Sequence, residues 1–319
     1  MKALMSRIQN RQLILRIVGS LAATILLVYV ISRQDWKEIG EALQQIPVYL
    51  IFITFAIMLV SRLSVAARWF TLLRSSGMPV TWGDTLKITF AGLFATNFLP
   101  TTVGGDVVRL TGAIQLKLDA AVSAASLLVD RLVGMAGMAM AVPFALSPFI
   151  QGLQDGTIFT TSAPVVAAEI TTLPAASLWK KIWAKGMSLV RRVFTALSLW
   201  LKQPRALLVS LLFSWLHMIC FFSILYLVFQ SMGEPLPFWL IAGLYSIVYF
   251  ITLVPISING YGVQELLMMV IFSRLGGVSL TSALSAALVL RTLMMVASLP
   301  GAAFVPGIVV GHKEQQKSA

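Results

Sequence analysis

Long apolar segments determine what this chain can fold into. The segment from Ala206 to Phe229 contains no acidic or basic residue, and several others resemble it. A helix of about 20 apolar residues spans the hydrocarbon core of a bilayer. Across the chain, 58% of the residues are hydrophobic and only 11% are charged. We therefore expect an all-α polytopic membrane protein, one integral domain over residues 1–319 with roughly six to eight spans.

The net charge of +12 indicates lipid rather than nucleic acid as the partner. The lysines and arginines stand beside apolar segments, so anionic membrane lipids are expected and nucleic acid is not. Cys220 is the single cysteine, which excludes an intramolecular disulfide, and two histidines cannot form a zinc site. No metal and no cofactor is expected, and no Walker motif is present for ATP.

Basic residues predict the orientation of the chain. Residues 1–16 carry four of them and no acid, before an apolar run over 17–31, which places the N-terminus in the cytoplasm. No small-x-small cleavage site follows this run, so an uncleaved anchor is favoured over a cleaved signal peptide. A short interfacial helix over 35–43 and a second span from Val48 to about Val65 should follow.

The chain divides into two halves, residues 1–148 and 206–311. Between them, 149–178 has no lysine or arginine and predicts a loop, whereas 180–205 combines seven basic residues with apolar residues at helical spacing. That pattern is typical of an amphipathic helix on an anionic membrane surface. The basic residues of 180–205 favour the cytoplasmic side, where the N-terminus is expected, and this requires an even number of spans between the two. A re-entrant hairpin over 82–118 would instead leave three full spans between them.

A proline and two glycines interrupt the apolar segment that runs through Phe90. The stretch from Asn97 to Leu110 is NFLPTTVGGDVVRL, which predicts a helix ending near Leu99 and another starting near Asp106. A broken helix is tolerated in hydrocarbon only where protein or a polar cavity surrounds it. The break therefore predicts a polar site inside the membrane.

A second broken segment, LVPISINGYGVQEL over 253–266, has the same order of features: a proline, a short polar run, a glycine pair and an acid. Asp106 precedes Arg131 by 25 residues, and Glu265 precedes Arg291 by 26. Such segments at matching positions of two halves are typical of inverted repeats with a binding site near the bilayer midplane. We expect two broken or re-entrant helices and hypothesise an inverted repeat.

Charged residues also stand inside apolar segments. Asp130 and Arg131 are neighbours on a helix and point about 100° apart, so they should use different partners, either in structural pairs or along a polar cavity. Arg62, Arg68 and Arg74 cannot form one stripe. Reaching out to headgroups is the favoured interpretation for these three, with Arg62, deepest in the apolar run, as the exception.

The chain resembles the flippase-like integral-membrane domain of the lysylphosphatidylglycerol synthases and their stand-alone bacterial relatives. The resemblance rests on Arg68-Trp69, Asn97-x-x-Pro100, Gly104-Gly105-Asp106-x-x-Arg109, Leu127-x-x-Asp130-Arg131, and Pro255-x-Ser257 with Gly260-Tyr261-Gly262-x-x-Glu265. It implies a multi-pass protein of the bacterial inner membrane that moves, or helps to move, a polar lipid between leaflets. Aspartate at 106, where the family often has glutamate, and no synthase domain after Val310 disfavour lysyl-phosphatidylglycerol as the substrate.

The expected substrate-binding residues lie at the two breaks and among the embedded charges. They are Asn97, Gly104, Gly105, Asp106, Arg109, Asp130, Arg131, Gly260, Gly262, Glu265 and Arg291. Arg109 and Arg131 would attract a phosphate, while Asp106 and Glu265 would pair with arginines or with a cationic headgroup. Helix N-termini after the glycines would add positive ends.

The favoured function is translocation of a polar phospholipid or lipid-linked molecule, without an ATPase of its own. The alternatives are a membrane-embedded glycosyl or phosphoryl transferase and an accessory subunit. A transferase is disfavoured because the chain has no Asp-x-Asp pair and no nucleophile beside a histidine base, so no catalytic residue is assigned. The sequence is also compatible with a homo-oligomer.

Overall fold

A computed structural model describes residue 41 and residues 44–98, 104–154, 200–253 and 262–308. These ranges contain nine α-helices and no strand. The helices are α1 Val48–Ser75, α2 Trp82–Phe98, α3 Gly104–Gln115, α4 Ala120–Ala139, α5 Leu146–Gln154, α6 Pro204–Ser231, α7 Phe238–Thr252, α8 Val263–Gly276 and α9 Leu280–Ser298. A 3-10 turn follows α4 at Val142–Ala145, and another follows α9 at Leu299–Ala303.

Four helical stretches are long and apolar enough to cross a membrane. They are Val48–Ser75, Ala120–Pro148, Pro204–Ser231 and Leu280–Ala303, and Phe238–Thr252 is a shorter apolar helix. These helices confirm an all-α polytopic membrane protein. The N-terminal apolar run, nearly all of the predicted interfacial helix and residues 180–199 lie outside the described residues, and so does the evidence for orientation.

Some helix ends differ from the prediction. α1 continues to Ser75 rather than ending near Val65, because Arg68 is buried against an acid of α4. α7 ends at Thr252, directly before the predicted second broken segment over 253–266. The predicted loop over 149–178 is wrong at its start, where α5 runs to Gln154.

The predicted amphipathic helix over 180–205 is wrong at its end, because Pro204 begins α6. A proline is well placed there, since the first turn of a helix has no use for its missing N–H. Trp200, just before α6, is fully buried, and its Nε1 donates to the carbonyl of Leu72 and to Ser75 Oγ at the end of α1.

α1 and α6 pack antiparallel at the centre of the molecule. Three contacts show this direction. Trp200 contacts Ser75, Ser214 contacts Arg68, and His217 contacts Ser61, so the residue numbers rise in one segment as they fall in the other. The main apolar core gathers around these two helices with α7, α8 and α9. The charged side chains described below are therefore held between long, well-packed helices.

The chain reverses its direction between α2 and α3, on either side of the first break. Gly92 faces Arg109, Thr96 faces Gly105 and Ile88 faces Gly112, so α2 and α3 form an antiparallel hairpin. Neither helix of this pair is among the stretches long enough to span. The structure thus confirms the first predicted break, with α3 beginning at Gly104, two residues before Asp106.

The two halves repeat the same order of elements. α1 and α6 are each 28 residues long. The connectors SGMPVT, over 76–81, and MGEPLP, over 232–237, each carry a glycine at positive φ, 84° at Gly77 and 73° at Gly233, and a proline two residues later. The same elements then follow in each half: a helix (α2 or α7), a break in the sequence, a short helix (α3 or α8), a helix with a side-chain cap (α4 or α9) and a proline-containing 3-10 turn.

Equivalent residues meet where the halves cross. Ser61 and His217 are 156 positions apart, as are Gly77 and Gly233, and Ser61 Oγ lies 2.6 Å from His217 Nδ1. Because α1 and α6 are antiparallel, a residue meets its own equivalent only near a two-fold axis between the halves. This is the packing expected of the hypothesised inverted repeat.

The 3-10 turn at the end of each half packs against a helix of the other half. The 3-10 turn of the first half packs on α7, and that of the second half packs on α2. Glycines make both contacts close: a Cβ on Gly243 would overlap Ala145, and a Cβ on Gly301 would overlap the carbonyl of Phe90. Each half therefore completes its packing with a segment of the other.

Candidate functional site

Three arginines and two acids form an ion-pair cluster at the first break, here called the first-half cluster: Arg68, Asp106, Arg109, Asp130 and Arg131. Asp130, 1% exposed, is its centre. Arg68 Nε donates to its Oδ1 at 2.6 Å, and both Nη atoms of Arg109 donate to its Oδ2 at 3.1 Å. Two partners offset the cost of burying this carboxylate.

The other acid of the first-half cluster lies nearer the protein surface. Arg131 Nε donates to Asp106 Oδ2 at 2.5 Å, and Arg109 Nη1 lies 3.6 Å from Asp106 Oδ1. The side chains of Arg131 and Asp106 are 54% and 22% exposed. Asp130 and Arg131 thus use different partners, as predicted, and the cluster is open on the side of Arg131.

Neighbouring side chains fix the buried arginines in place. Arg109 Cζ lies 4.3 Å from the ring centroid of Trp69, and Trp69 Nε1 donates to Ser126 Oγ at 3.0 Å. Arg68 Nη1 donates to Ser214 Oγ of α6 at 3.1 Å. A guanidinium over an indole ring gains a cation–π interaction in addition to its ion pair. The Arg68-Trp69 pair therefore organises the cluster.

The glycines of the first break serve close packing. A Cβ on Gly105 would overlap Thr96 Oγ1, and one on Gly92 would lie 2.6 Å from Arg109 Cγ. Neither Gly104 nor Gly105 has a positive φ. Gly105 therefore does not supply a backbone conformation closed to other residues, but lets α3 approach α2 and brings Asp106 and Arg109 to the cluster.

Glu265 and Arg291 form the equivalent second-half cluster with Gln264 and Gly262. Arg291 Nε donates to Glu265 Oε1 at 2.5 Å, and Arg291 Nη2 donates to Gln264 Oε1 at 3.1 Å. The backbone N–H of Gly262 donates to Glu265 Oε2 at 2.9 Å, with φ of 78° at this glycine. Here the glycine does supply a conformation that other residues rarely adopt.

The ion pairs Asp106–Arg131 and Glu265–Arg291 occupy equivalent places. Each acid lies in the first turn of the short helix after a break. Each arginine lies in the next helix, 12 residues after the side chain that caps it: Arg131 follows Asp119, and Arg291 follows Ser279. Their surroundings differ, because Glu265 and Arg291 are only 6% and 9% exposed. The Asp106–Arg131 pair is therefore partly exposed, whereas the Glu265–Arg291 pair is buried.

The remaining predicted residues have varied positions. Asn97 ends α2, and its Nδ2 donates to the carbonyl of Met294 and to Ser298 Oγ of α9, so it joins two helices at a distance from the ion pairs. Gly260 lies outside the described residues. The structure therefore brings Asp106, Arg109, Asp130 and Arg131 together, and Gly262, Glu265 and Arg291 together.

Two arginines of α1 are buried, Arg68 against the favoured interpretation and Arg62 in agreement with the exception made for it. The prediction that Arg68 reaches headgroups is wrong, because it is buried against Asp130, whereas Arg74 is exposed. Arg62 is also buried, with its Cζ 5.5 Å from the Phe221 ring centroid. Asp130, an acid deep in an apolar segment, was the signal that could have identified Arg68, because such an acid requires a cationic partner.

The site has the chemistry of an anion receptor. The first-half cluster holds one more arginine than acids, and it lies at the N-terminus of α3, where backbone N–H groups add positive potential. In the described part of the chain, no group of three or more histidine, cysteine or acidic side chains could hold a metal ion. Guanidinium groups suit the oxygens of a phosphate, which they bind through two parallel hydrogen bonds.

Comparison with protein families gives one informative match. A family model described as "Lysylphosphatidylglycerol synthase TM region" matches residues 15–301 of the chain. A search of curated proteins finds no match. The matched residues include both breaks, both ion-pair clusters and all nine described helices.

Proposed function

Because the chain belongs to the family of the lysylphosphatidylglycerol synthase transmembrane region, we propose that it moves, or helps to move, a phosphate-bearing polar lipid between the leaflets of a membrane. It is a multi-pass membrane protein, and we place it in the bacterial inner membrane. Movement would be facilitated or coupled to an ion, since the chain has no Walker motif.

The observation that carries this proposal is the unbalanced charge of the first-half cluster. Charges inside a membrane are costly, and those present usually mark a substrate path. Arg68 and Arg109 share Asp130, and Asp106 is left for Arg131. Among the residues that the structure describes, one formal positive charge of the cluster is therefore unmatched, on the side where Arg131 is exposed. A lipid phosphate would supply the missing negative charge.

The two-fold relation of the halves supports passage through the protein rather than binding alone. The Asp106–Arg131 pair is open, and its equivalent Glu265–Arg291 is enclosed. Inverted repeats allow the two halves to exchange their conformations about a fixed site. In the proposed cycle the first pair closes while the second opens, so that a headgroup taken from one leaflet is released to the other.

The test is exchange of a fluorescent phospholipid between leaflets of liposomes that contain the purified protein. The matched variants are Asp106→Asn and Asp119→Asn, which make the same chemical change inside and outside the cluster. Asparagine still caps a helix, so Asp119→Asn should exchange lipid as the wild type does. Asp106→Asn should lower the exchange rate about tenfold or more, because it removes the charge-assisted hydrogen bond from Arg131 to Asp106 that holds Arg131 in position.

Other outcomes would assign another function. If the wild type converted the lipid into a product, the protein would be a transferase. If it caused neither exchange nor conversion while retaining its fold, an accessory role would replace transport. Equal exchange by both variants would remove the first-half cluster from the path.

A further inference from the structure

Arg62 is a buried cation at the middle of the protein. It lies one residue after Ser61, where α1 crosses α6 near the two-fold axis, and it is 4% exposed. Nothing in the first-half or second-half cluster requires it. Within a membrane protein such a charge is costly and needs a reason.

The hydrogen-bonding capacity of Arg62 is not satisfied by the protein. Its Nε and Nη2 have no hydrogen-bond partner in the part of the chain that the structure describes. The Phe221 ring, 5.5 Å from Cζ, offers a cation–π contact. Such a contact attracts the charge but leaves the N–H groups without acceptors, and buried donors without acceptors are strongly unfavourable.

The position of Arg62 lies between the two clusters. On one side, His217 Nδ1 lies 2.6 Å from Oγ of Ser61, the residue before Arg62, and Ser214, which Arg68 of the first-half cluster contacts, is three residues before His217. On the other, the ring centroid of Tyr245 lies 5.9 Å from that of Phe221, the ring that Arg62 faces. The Tyr245 hydroxyl also lies 3.5 Å from Gln264 Nε2, next to the Glu265–Arg291 pair. The neighbours of Arg62 thus lead to both clusters.

We infer that Arg62 forms a central site for a phosphate-class oxyanion, in which the headgroup rests between the first-half and second-half clusters. The phosphate supplies the acceptors that Nε and Nη2 lack and neutralises the buried guanidinium. The Tyr245 ring packs on the Phe221 ring that Arg62 faces, and its hydroxyl can donate a hydrogen bond. That the phosphate belongs to a lipid rests on the proposed function, whereas the site itself rests on the unpartnered arginine.

Nuclear magnetic resonance on the wild-type protein in a phosphorus-free detergent can test the site directly. With ¹⁵N-labelled arginine, the Arg62 guanidinium signal is the one missing from Arg62→Met. Dioctanoyl phosphatidylglycerol should cause ³¹P dephasing of that signal, whereas dioctanoylglycerol, which has no phosphorus, should not. A third sample with inorganic phosphate separates a lipid headgroup from the free anion. The inference is wrong if neither phosphorus compound dephases the signal.

Lipid exchange in liposomes gives the second measurement, with Arg74→Met as the matched control because Arg74 is exposed at the end of the same helix. Arg62→Met should exchange at least about tenfold more slowly than Arg74→Met. Arg62→Lys should fall between them, since lysine keeps the charge and loses the planar fork. Arg62→Met should melt no lower than wild type without added lipid, because it removes a buried charge that has no partner.

The two measurements separate this inference from the proposed function. Dephasing by the phospholipid without any leaflet exchange by the wild type would support the site and overturn the transport proposal. Exchange that Arg62→Met leaves unchanged, together with no dephasing, would overturn the site and leave transport intact. Dephasing by inorganic phosphate alone would overturn the lipid headgroup as its occupant. A lower melting temperature of Arg62→Met with no dephasing would assign Arg62 a structural role.

Discussion

At the scale of single residues, Asp130 and Asp106 differ although both are acids of one cluster. Asp130 is enclosed by Arg68 and Arg109, whereas Asp106 and Arg131 lie partly exposed. Breaking an enclosed pair leaves an uncompensated buried charge, while a partly exposed pair contributes little to stability. The same substitution should therefore affect stability at one acid and transport at the other.

We expect Asp130→Asn to lower the free energy of unfolding by about 3–5 kcal/mol, because it leaves the buried Arg68 without a carboxylate and Arg109 with only Asp106, 3.6 Å away. Thermal melting of the purified protein in detergent measures this, with Asp119→Asn as the control. Asp106→Asn should melt close to the wild type. Equal melting of Asp130→Asn and Asp119→Asn would show that the enclosed pairs do not hold the helices together.

The equivalent acid of the second half should behave like Asp130. Glu265 and Arg291 are enclosed, so we expect Glu265→Gln to lower the melting temperature, because the buried Arg291 loses its carboxylate, at a cost of about 3–5 kcal/mol. The double variant with Arg291→Gln should recover much of that loss. If the double variant melts and exchanges lipid as the wild type does, the pair is structural. If it melts normally and remains inactive, the pair belongs to the path.

At the scale of helices, α2 and α3 pack closely because glycines of each helix face the other helix. Gly105→Ala would place a methyl group against Thr96, and we expect a loss of about 1–3 kcal/mol in the free energy of unfolding. Gly83→Ala is the matched control, because no atom lies within 4 Å of the added Cβ. Melting of both variants in one detergent decides the matter. A loss at both positions would contradict this, because alanine favours a helix over glycine at both and only Gly105 faces Thr96.

The sequence predicted these elements unevenly, for physical reasons. α6 was found to within two residues of each end, because a long uncharged segment has few alternatives to a spanning helix. The breaks were found because proline and glycine interrupt helices locally. The extent of α1 was not found, since its continuation depends on Asp130, which is 62 residues from Arg68 in the chain. Contacts at such separations leave no local pattern.

The candidate site shows the same limit. The separations of 25 and 26 residues between acid and arginine were visible in the sequence, and both pairs are in contact. The role of Arg68 was not, because an arginine inside an apolar helix is compatible with reaching either outwards or inwards. Only the packing of α6 against α1 selects the inward direction.

At the scale of the whole molecule, the two halves have one order of elements and two degrees of exposure. Val107 and Leu266 directly follow the equivalent acids Asp106 and Glu265, and they are 55% and 6% exposed. Two related halves that differ in this way are expected to exchange states during transport.

Single cysteines can detect that exchange. In a Cys220→Ser background, Val107→Cys should react readily with a water-soluble maleimide, and Leu266→Cys should react slowly. Adding phospholipid substrate should speed the reaction at 266, because passage requires the second half to open. Reaction rates at both positions that are independent of the lipid would contradict alternating exposure. A Val107→Cys variant inert to maleimide would mean that this surface faces hydrocarbon.

The 3-10 turns that pack on the opposite half also bear on how the protein is made. The surface of α2 that carries Phe90 belongs to the first part of the chain to be synthesised, and the turn around Gly301 that covers it is near the last. During synthesis, the α2–α3 hairpin must therefore wait in the membrane with one side uncovered until the ribosome has passed residue 303. Insertion and final assembly are thus separated in time.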